Sequence, residues 1–142
     1  MALSVRPSVI ILEEGKLLVV RSVYGGEEFY LLPGGGIEGT ETLYEAGVRE
    51  TREETGQDVR ILKVAYLNDF IEEASRCLNV YLLGKRSGQK PLTPQSDEGN
   101  VKEALWISLK ELENLDFRPK ELIRRIQEDH PDFSSEDIYF VG

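Results

Sequence analysis

The chain has 142 residues but only one cysteine, Cys77, and one histidine, His130. A single cysteine excludes an intrachain disulfide and argues against a thiolate metal cage, so we expect a reducing, cytoplasmic location. With one histidine and no Gly-x-Ser-x-Gly segment, a serine-hydrolase triad is not expected either. We interpret Cys77 as a small core residue and His130 as a surface residue.

The sequence also lacks long hydrophobic runs and an excess of positive charge. The apolar run from Val9 to Leu12 is too short for a signal-peptide core or a membrane span. The net charge is −9, from 17 Lys and Arg against 26 Asp and Glu, which argues against binding to duplex nucleic acid. A small anionic substrate needs only a local cluster of basic side chains. We therefore expect a small-molecule partner, no duplex nucleic acid and no membrane.

The length and the short apolar runs predict a single domain over residues 1–142. The runs 9–12 and 17–20 flank a turn-like segment, so they predict a strand pair, and their unbroken apolar character indicates strands covered on both faces. Further strands are predicted at residues 29–32, 59–71, 77–83, 105–107 and 137–141, a helical turn at 109–115, and a long loop at 87–100.

Two helices are predicted between these strands. Thr42 and Glu45 form a capping-box pattern, so the first helix should run over residues 43–55, with Gly56 as a left-handed C-cap. Pro119 begins a second, amphipathic helix that stops before Pro131. Its apolar face consists of Leu122, Ile123 and Ile126. Together these elements predict an α+β sandwich with a mixed β-sheet between helices.

The first helix carries clustered glutamates. Glu50, Glu53 and Glu54 stand at i, i+3 and i+4 and share one face. Glu50 and Glu54 have no Lys or Arg three or four residues away, so we expect their charges to be uncancelled. Such a pattern usually means a solvated acidic face. Here the same side of the helix carries small or apolar residues and adjoins a glycine loop, which favours an oxygen-ligand site for Mg²⁺ or Mn²⁺. Those residues are Leu43, Ala46 and Gly47.

The glycine loop precedes this helix in the segment PGGGIEGTE, residues 33–41. It is neither a Walker A loop nor a GxGxxG motif. Taken alone, Gly34, Gly35 and Gly36 are explained by a strand-to-helix turn that needs positive φ. Beside the glutamates, the glycines would also let a carbonyl approach a metal and let a substrate lie against the backbone.

The loop and helix together resemble the signature of the Nudix hydrolases, including the MutT-like proteins, which is G-x5-E-x7-R-E-U-x-E-E-x-G-U with U a bulky aliphatic residue. Every fixed position is filled, whereas Thr51 and Gln57 replace the aliphatic residues of the box from Gly35 to Gln57. The fixed residues are Gly35, Glu41, Arg49, Glu50, Glu53, Glu54 and Gly56. The similarity continues in residues 30–35 and 105–112, covers about residues 5 to 127, and implies an α/β/α sandwich.

The resemblance implies roles for individual residues. Glu53 and Glu54 would bind a divalent metal, Mg²⁺ or Mn²⁺, with Glu50 as a further ligand or as the group that orients or deprotonates the attacking water. The Gly34 carbonyl would be a backbone ligand. Other box residues, Gly35, Glu41, Arg49 and Gly56, would be structural, with Arg49 paired to Glu41. For a ligand from a late loop the candidates are Glu98 and, as alternatives, Asp97 and Glu103.

The activity implied is hydrolysis of the pyrophosphate linkage of a nucleoside diphosphate joined to another group. The alternatives are a nucleotide-sensing module without turnover and an acidic helix that binds a protein. Arg21 is the first candidate for a phosphate contact, ahead of Arg6, Lys85 and Arg86, and Tyr30 is a candidate for stacking on a base or for the core. The family often dimerises, which implies a homodimer. Marker residues of several substrate subfamilies are missing, so the substrate stays open.

Overall fold

The computed structural model describes residues 2–93 and 100–142, which form eight strands and three helices. No helix in these residues is long and apolar enough to cross a membrane. The elements are β1 (Ala2–Ile10), β2 (Leu12–Glu13), β3 (Lys16–Tyr24), β4 (Glu27–Leu31), α1 (Leu43–Thr55), β5 (Val59–Ile71), β6 (Ser75–Arg86), β7 (Val101–Ser108), α2 (Leu109–Leu112), α3 (Lys120–Asp129) and β8 (Tyr139–Val141).

The strands form two sheets. The first is mixed and has the order β1-β6-β5-β8, in which β1 is parallel to β6, β6 antiparallel to β5, and β5 parallel to β8. In the second, β3 pairs in an antiparallel manner with β2, β4 and β7. Helix α1 covers one face of the mixed sheet and α3 packs on the other side, so the predicted α+β sandwich with a mixed sheet between helices is confirmed.

The unbroken apolar runs are buried on both faces, as predicted. Along β1 and β3, successive side chains point alternately into two core clusters. One cluster lies under α1 and includes Val9, Ile11 and Leu18, whereas the other lies under α3 and includes Ile10, Leu17 and Val19. All six residues are at most 1% exposed, so this part of each strand is covered on both faces.

Helix α1 has the predicted bounds and caps. The Thr42 hydroxyl accepts from the Glu45 amide at 3.1 Å, the Glu45 carboxylate accepts from the Thr42 amide at 3.0 Å, and Gly56 has a φ of 75°. The helix lies close to the sheet, since a Cβ on Gly47 would stand 2.9 Å from the Leu82 side chain. The same side of the helix also carries Glu50 and Glu54, three and seven residues further on, which reach the glycine loop.

The predicted strand pair over 9–12 and 17–20 is only partly right. The hairpin contains two residue pairs, Leu12 with Leu17 and Glu13 with Lys16. Most of the first run instead belongs to β1, which pairs with β6 from Ala2–Ser75 to Ile10–Leu83. The chain leaves the mixed sheet after Ile10 and enters the second sheet at Leu12.

Gln57, which replaces an aliphatic residue of the box, has a polar role in the structure. It is 1% exposed, and its amide nitrogen donates to the carbonyls of Lys90 at 3.0 Å and Pro91 at 3.1 Å. Its side-chain oxygen accepts from Arg86 at 3.2 Å. The residue therefore fastens the segment after β6 to the end of α1, with each buried polar atom satisfied.

Strand β8 is short and lies at the edge of the mixed sheet, where side chains of β5 hold it. The Asp69 carboxylate accepts from the Tyr139 hydroxyl at 2.8 Å and from two nitrogens of Arg76, also at 2.8 Å. The Arg76 guanidinium, followed by the Tyr139 hydroxyl, lowers the pKa of Asp69 to about 2. On the other face of β5, the Asn68 amide donates to the carbonyls of Phe140 at 3.4 Å and Gly142 at 3.5 Å.

Replacing Asp69 by Asn should destabilise the fold at neutral pH, and the difference should shrink in acid. Because the folded-state pKa is lowered, the ionised carboxylate stabilises the fold fully above its ordinary value of 3.8, and this effect is lost as the pH falls through about 2. Urea unfolding at pH 6 and pH 3 measures the gap between wild type and Asp69→Asn, with the exposed Asp132→Asn as control. A gap that is equal at both pH values would contradict the role of this ion pair.

Candidate active site

The glycine loop is seated against β1 by backbone hydrogen bonds. The Val9 amide donates to the Pro33 carbonyl at 2.9 Å, and the Gly35 amide donates to the Pro7 carbonyl at 3.1 Å. A Cβ on Gly34 would lie 2.6 Å from that Pro7 oxygen and 2.8 Å from the Ser8 Cα. Gly39 of the segment has a φ of 54°, but the turn explanation with positive φ is wrong for Gly34, Gly35 and Gly36, none of which has a positive φ. Close approach to another backbone is what requires glycine here.

Gly35 has a second close neighbour, the carboxylate of Glu50. A Cβ on Gly35 would stand 2.5 Å from the Glu50 carboxyl carbon and 2.6 Å from its Oε1. The next residue differs, since a Cβ on Gly36 would meet nothing within 4 Å. The loop is therefore open at Gly36 but shaped around Glu50 at Gly35.

Both polar groups of Gly34 face charged side chains. Its amide donates to Oε1 of Glu54 at 2.8 Å, and its carbonyl accepts from the Arg6 guanidinium at 3.1 Å. Burial raises the pKa of Glu54 to about 7, against the opposing effects of the Gly34 amide and the Arg6 charge, and the negative charges of Glu50 and Glu53 raise it further. Glu54 is thus a half-buried carboxylate whose loss of hydration is only partly offset by the nearby charge of Arg6.

Arg49 joins the loop to the helix. Its guanidinium donates to both oxygens of Glu41 at 2.8 and 3.0 Å, to Glu50 at 2.8 Å, to Glu53 at 3.3 Å, and to the Gly36 carbonyl at 3.0 Å. The expectation that Glu50 lacks a cationic partner is therefore wrong. The partner is the preceding residue, whose long side chain turns back toward the loop and so reaches a carboxylate outside the usual helical spacing.

The oxygen donors of this region suit a hard divalent cation, although their present arrangement is held by arginines. Among the residues of 2–93 and 100–142, no group of three or more His, Cys, Asp or Glu side chains converges as a metal cage. Instead, Arg49 bonds Glu50 and Glu53, and Arg6 bonds the Gly34 carbonyl. The guanidinium groups thus supply positive charge to the same oxygens that Mg²⁺ or Mn²⁺ prefers, so the donor set fits such an ion in its chemistry.

Other predicted site residues are placed differently. Glu98 and Asp97 lie outside the described residues. Glu103 lies on β7 and accepts from Arg21 at 3.0 Å, and Arg21 also donates to Glu28 at 3.2 Å. Two carboxylates of neighbouring strands therefore hold the residue that we expected to contact phosphate. Tyr30 packs against the core cluster under α3.

The remaining candidates also have structural partners or surface positions. Arg86 pairs with Glu13 at 2.5 Å and lies over the ring of Trp106. His130 is exposed, as predicted, and Cys77 is half-buried at the outer part of β6 rather than in the core. None of these contacts joins the carboxylates of α1.

A cavity of about 370 Å³ opens beside the glycine loop, and the sequence analysis did not identify it. Its floor is one face of the mixed sheet, formed by Arg6, Ser8, Asn68, Phe70, Asn79 and Tyr81. Leu31, Leu32 and Pro119 contribute apolar walls. Arg6 thus borders both the loop and the cavity. The signal that could have pointed to this floor is an asparagine beside an apolar stretch in each of two strands, Asn68 after residues 64–67 and Asn79 before residues 80–83.

Comparisons with known proteins agree with this geometry. The NUDIX domain model matches residues 3–126, and no curated protein sequence gives a match. A NUDIX hydrolase from Nitrosomonas europaea is 21% identical, with 89% of this chain and 86% of that chain covered and a TM-score of 0.76. An ADP-ribose pyrophosphatase from Streptococcus suis is 21% identical, with 97% and 96% covered and a TM-score of 0.71. A UDP-X diphosphatase is 18% identical, with 100% and 68% covered and a TM-score of 0.73.

The solved structures show similarity of fold, whereas the family model shows similarity of the amino-acid sequence itself. The matched residues 3–126 include strands β1 to β7, the glycine loop and the whole of α1. The residues that hold the loop against the helix, Gly35, Glu41, Arg49, Glu50 and Glu54, all lie within that span and make the contacts described above. The chain therefore belongs to the NUDIX family.

Proposed function

We propose that the protein is a divalent-metal-dependent hydrolase that cleaves the pyrophosphate linkage of a nucleoside diphosphate joined to another group. The observation that carries the proposal is the position of two carboxylates of α1, which lie against the successive loop residues Gly34 and Gly35. Glu54 accepts from the Gly34 amide at 2.8 Å, and Glu50 fills the space that a side chain on Gly35 would occupy. Two structurally similar proteins bear the names ADP-ribose pyrophosphatase and UDP-X diphosphatase, which supports the substrate class.

The metal would be Mg²⁺ or Mn²⁺, held by Glu50, Glu53, Glu54 and the Gly34 carbonyl. Bound there, it would neutralise phosphate oxygens and lower the pKa of a water molecule. The chain itself supplies the position of these donors. Arg49 bonds Glu41 through both carboxylate oxygens while it contacts Glu50 and Glu53, so the loop and the helix are fixed relative to each other before any substrate arrives.

Glu50 is our candidate for the group that orients or deprotonates the attacking water. Its carboxylate lies at the loop surface against Gly35, where a substrate lying along the backbone would place its phosphorus. In the reaction, a new bond forms between the water oxygen and phosphorus, the bond from phosphorus to the bridging oxygen breaks, and the water proton passes to a carboxylate. Much of the acceleration would come from positioning and charge neutralisation.

Arg6 replaces Arg21 as the proposed phosphate contact. Arg6 already donates to the Gly34 carbonyl at 3.1 Å and lines the adjacent cavity, whereas Arg21 is engaged by Glu28 and Glu103. On binding, the Arg6 guanidinium would exchange the carbonyl for phosphate oxygens, which are stronger acceptors. The homodimer, the single domain over 1–142 and the cytoplasmic location stay predictions.

Turnover of a pyrophosphate substrate with Mg²⁺ or Mn²⁺ is the primary test. We expect hydrolysis of at least one member of a panel of nucleoside triphosphates, ADP-ribose, nucleotide sugars and dinucleoside polyphosphates. Glu54→Gln should lower kcat by roughly a hundredfold or more, because it removes a charged metal ligand, while circular dichroism shows the fold retained. Binding of these compounds without any turnover would favour the sensing alternative instead.

The two glycines of the loop offer a matched pair of variants. Gly35→Ala should raise the Mg²⁺ concentration needed for half-maximal activity by roughly tenfold, because a methyl group would displace the Glu50 carboxylate. Gly36→Ala should change it by less than about twofold, since a Cβ there meets nothing within 4 Å. Equal effects of the two substitutions in a Mg²⁺ titration would contradict the proposal that Gly35 positions the Glu50 carboxylate for metal binding.

Kinetic measurements can show which of Arg6 and Arg21 contacts the phosphate of the substrate. Arg6→Ala should raise KM by roughly tenfold or more, the effect of losing a charge-assisted hydrogen bond to phosphate. Arg21→Ala should leave KM within about twofold, because its partners are Glu28 and Glu103. Thermal unfolding of both variants shows whether the fold is retained. A larger rise in KM for Arg21→Ala would restore Arg21 as the phosphate contact.

A further inference from the structure

We propose that the cavity beside the glycine loop binds the base of the substrate, and that Asn79 recognises adenine through an amide oriented by Asn68. This inference rests on the proposed function in one respect, since it takes the ligand to be a nucleotide. It assigns the cavity, which is distinct from the carboxylate cluster on α1, to substrate recognition.

The position of the cavity follows from the strand register. Arg6 on β1 is paired with Asn79 on β6, and Asn79 with Asn68 on β5, so these residues form one row across the sheet. Adjacent strands are roughly 4.8 Å apart, and the row therefore spans about 10 Å. One end of it touches the loop, where Arg6 donates to the Gly34 carbonyl at 3.1 Å. A ligand whose phosphates lie at the loop can thus extend along the row to the asparagines.

The rest of the lining suits a flat, largely apolar ring. Leu31, Leu32, Phe70 and Pro119 contribute apolar surface around the polar row, and Tyr81 adds a second aromatic ring. The one further charged residue of the lining is Arg118, whose guanidinium is paired with Asp116 and Glu27. At about 370 Å³ the cavity is within the usual range for small-molecule sites. Apolar walls with a few convergent polar groups are what an aromatic base requires, because the faces of the ring stack or pack while its edge forms hydrogen bonds.

Strand β8 determines the direction in which the asparagines point. The Asn68 amide nitrogen donates to the carbonyls of Phe140 at 3.4 Å and Gly142 at 3.5 Å, which leaves its oxygen toward β6. That oxygen accepts from the Asn79 amide nitrogen at 2.9 Å. Because backbone carbonyls cannot donate, they impose the orientation of Asn68, and Asn68 in turn imposes the orientation of Asn79.

The half-buried Asn79 retains hydrogen-bonding capacity for a ligand. One hydrogen of its amide nitrogen is not used by Asn68, and its oxygen has only the weak donor Sγ of Cys77 at 3.4 Å. An adjacent donor and acceptor of this kind pair with the amino group N6 and the ring nitrogen N7 of adenine. The same edge of guanine carries two acceptors, N7 and O6, one of which would oppose the Asn79 oxygen.

Asn79→Leu tests the assignment, because leucine is close to asparagine in shape but has neither donor nor acceptor. Adenine would lose two hydrogen bonds, whereas guanine would lose one hydrogen bond together with the opposed acceptor, so we expect the ratio of kcat/KM for an adenine substrate to that for its guanine counterpart to fall by roughly tenfold relative to wild type. The exposed Asn114→Leu is the matched control and should leave the ratio unchanged. A ratio within about twofold of wild type for Asn79→Leu would overturn the proposal.

Direct binding separates this proposal from the hydrolase itself. The dissociation constants of α,β-methylene ADP and α,β-methylene GDP, measured by calorimetry, should show the same shift in Asn79→Leu without any cleavage. If the shift appears but no substrate is turned over, the cavity proposal stands and the hydrolase fails. If turnover occurs without the shift, the cavity proposal fails alone. Should circular dichroism show that Asn79→Leu is unfolded, Asn79→Ala replaces it, and an adenine preference equal to wild type would then overturn the proposal.

Discussion

The rest of the candidate site depends on two hydrogen bonds made by the backbone of Gly34. Its amide reaches Glu54 on α1, its carbonyl reaches Arg6 on β1, and the residues on either side pair with the backbone of β1. A side chain at this position would collide with backbone atoms of Pro7 and Ser8, which cannot turn away as a side chain can. The loop, the helix and the first strand therefore have one mutual arrangement, and the carboxylates take their positions from it.

Sequence patterns predict the parts of this arrangement that depend on neighbouring residues. The bounds of α1 follow from the capping box at Thr42 and the glycine after Thr55, because each contact spans only three or four residues. The same local reasoning missed the pair between Arg49 and Glu50. Adjacent residues on a helix do not face each other, yet the guanidinium bends toward the loop and meets the Glu50 carboxylate there.

Distant pairings explain why the remaining features could not be predicted. Arg21 and Arg6 are both basic residues in early strands, and only the carboxylates brought beside Arg21 by β4 and β7 distinguish them. The role of Asn68 and Asn79 in the cavity could not be predicted from the sequence for a different reason. The pairing of β5 with β6 shifts register twice, between Ile61 and Lys63 and between Val64 and Tyr66. Simple alternation along the strand therefore does not tell which face Asn68 occupies.

The position of β8 separates two tasks that the site must perform. The residues that hold the carboxylates in place lie almost entirely within one continuous segment, from the glycine loop to the end of α1, whereas the orientation of the asparagine pair comes from carbonyls of Phe140 and Gly142 at the opposite end of the described chain. Under the proposed role of Asn79, a change in β8 would alter which ligand is recognised while the loop and helix are untouched. Strand β8 is therefore a practical starting point for engineering selectivity, because it lies outside the segment that positions the carboxylates.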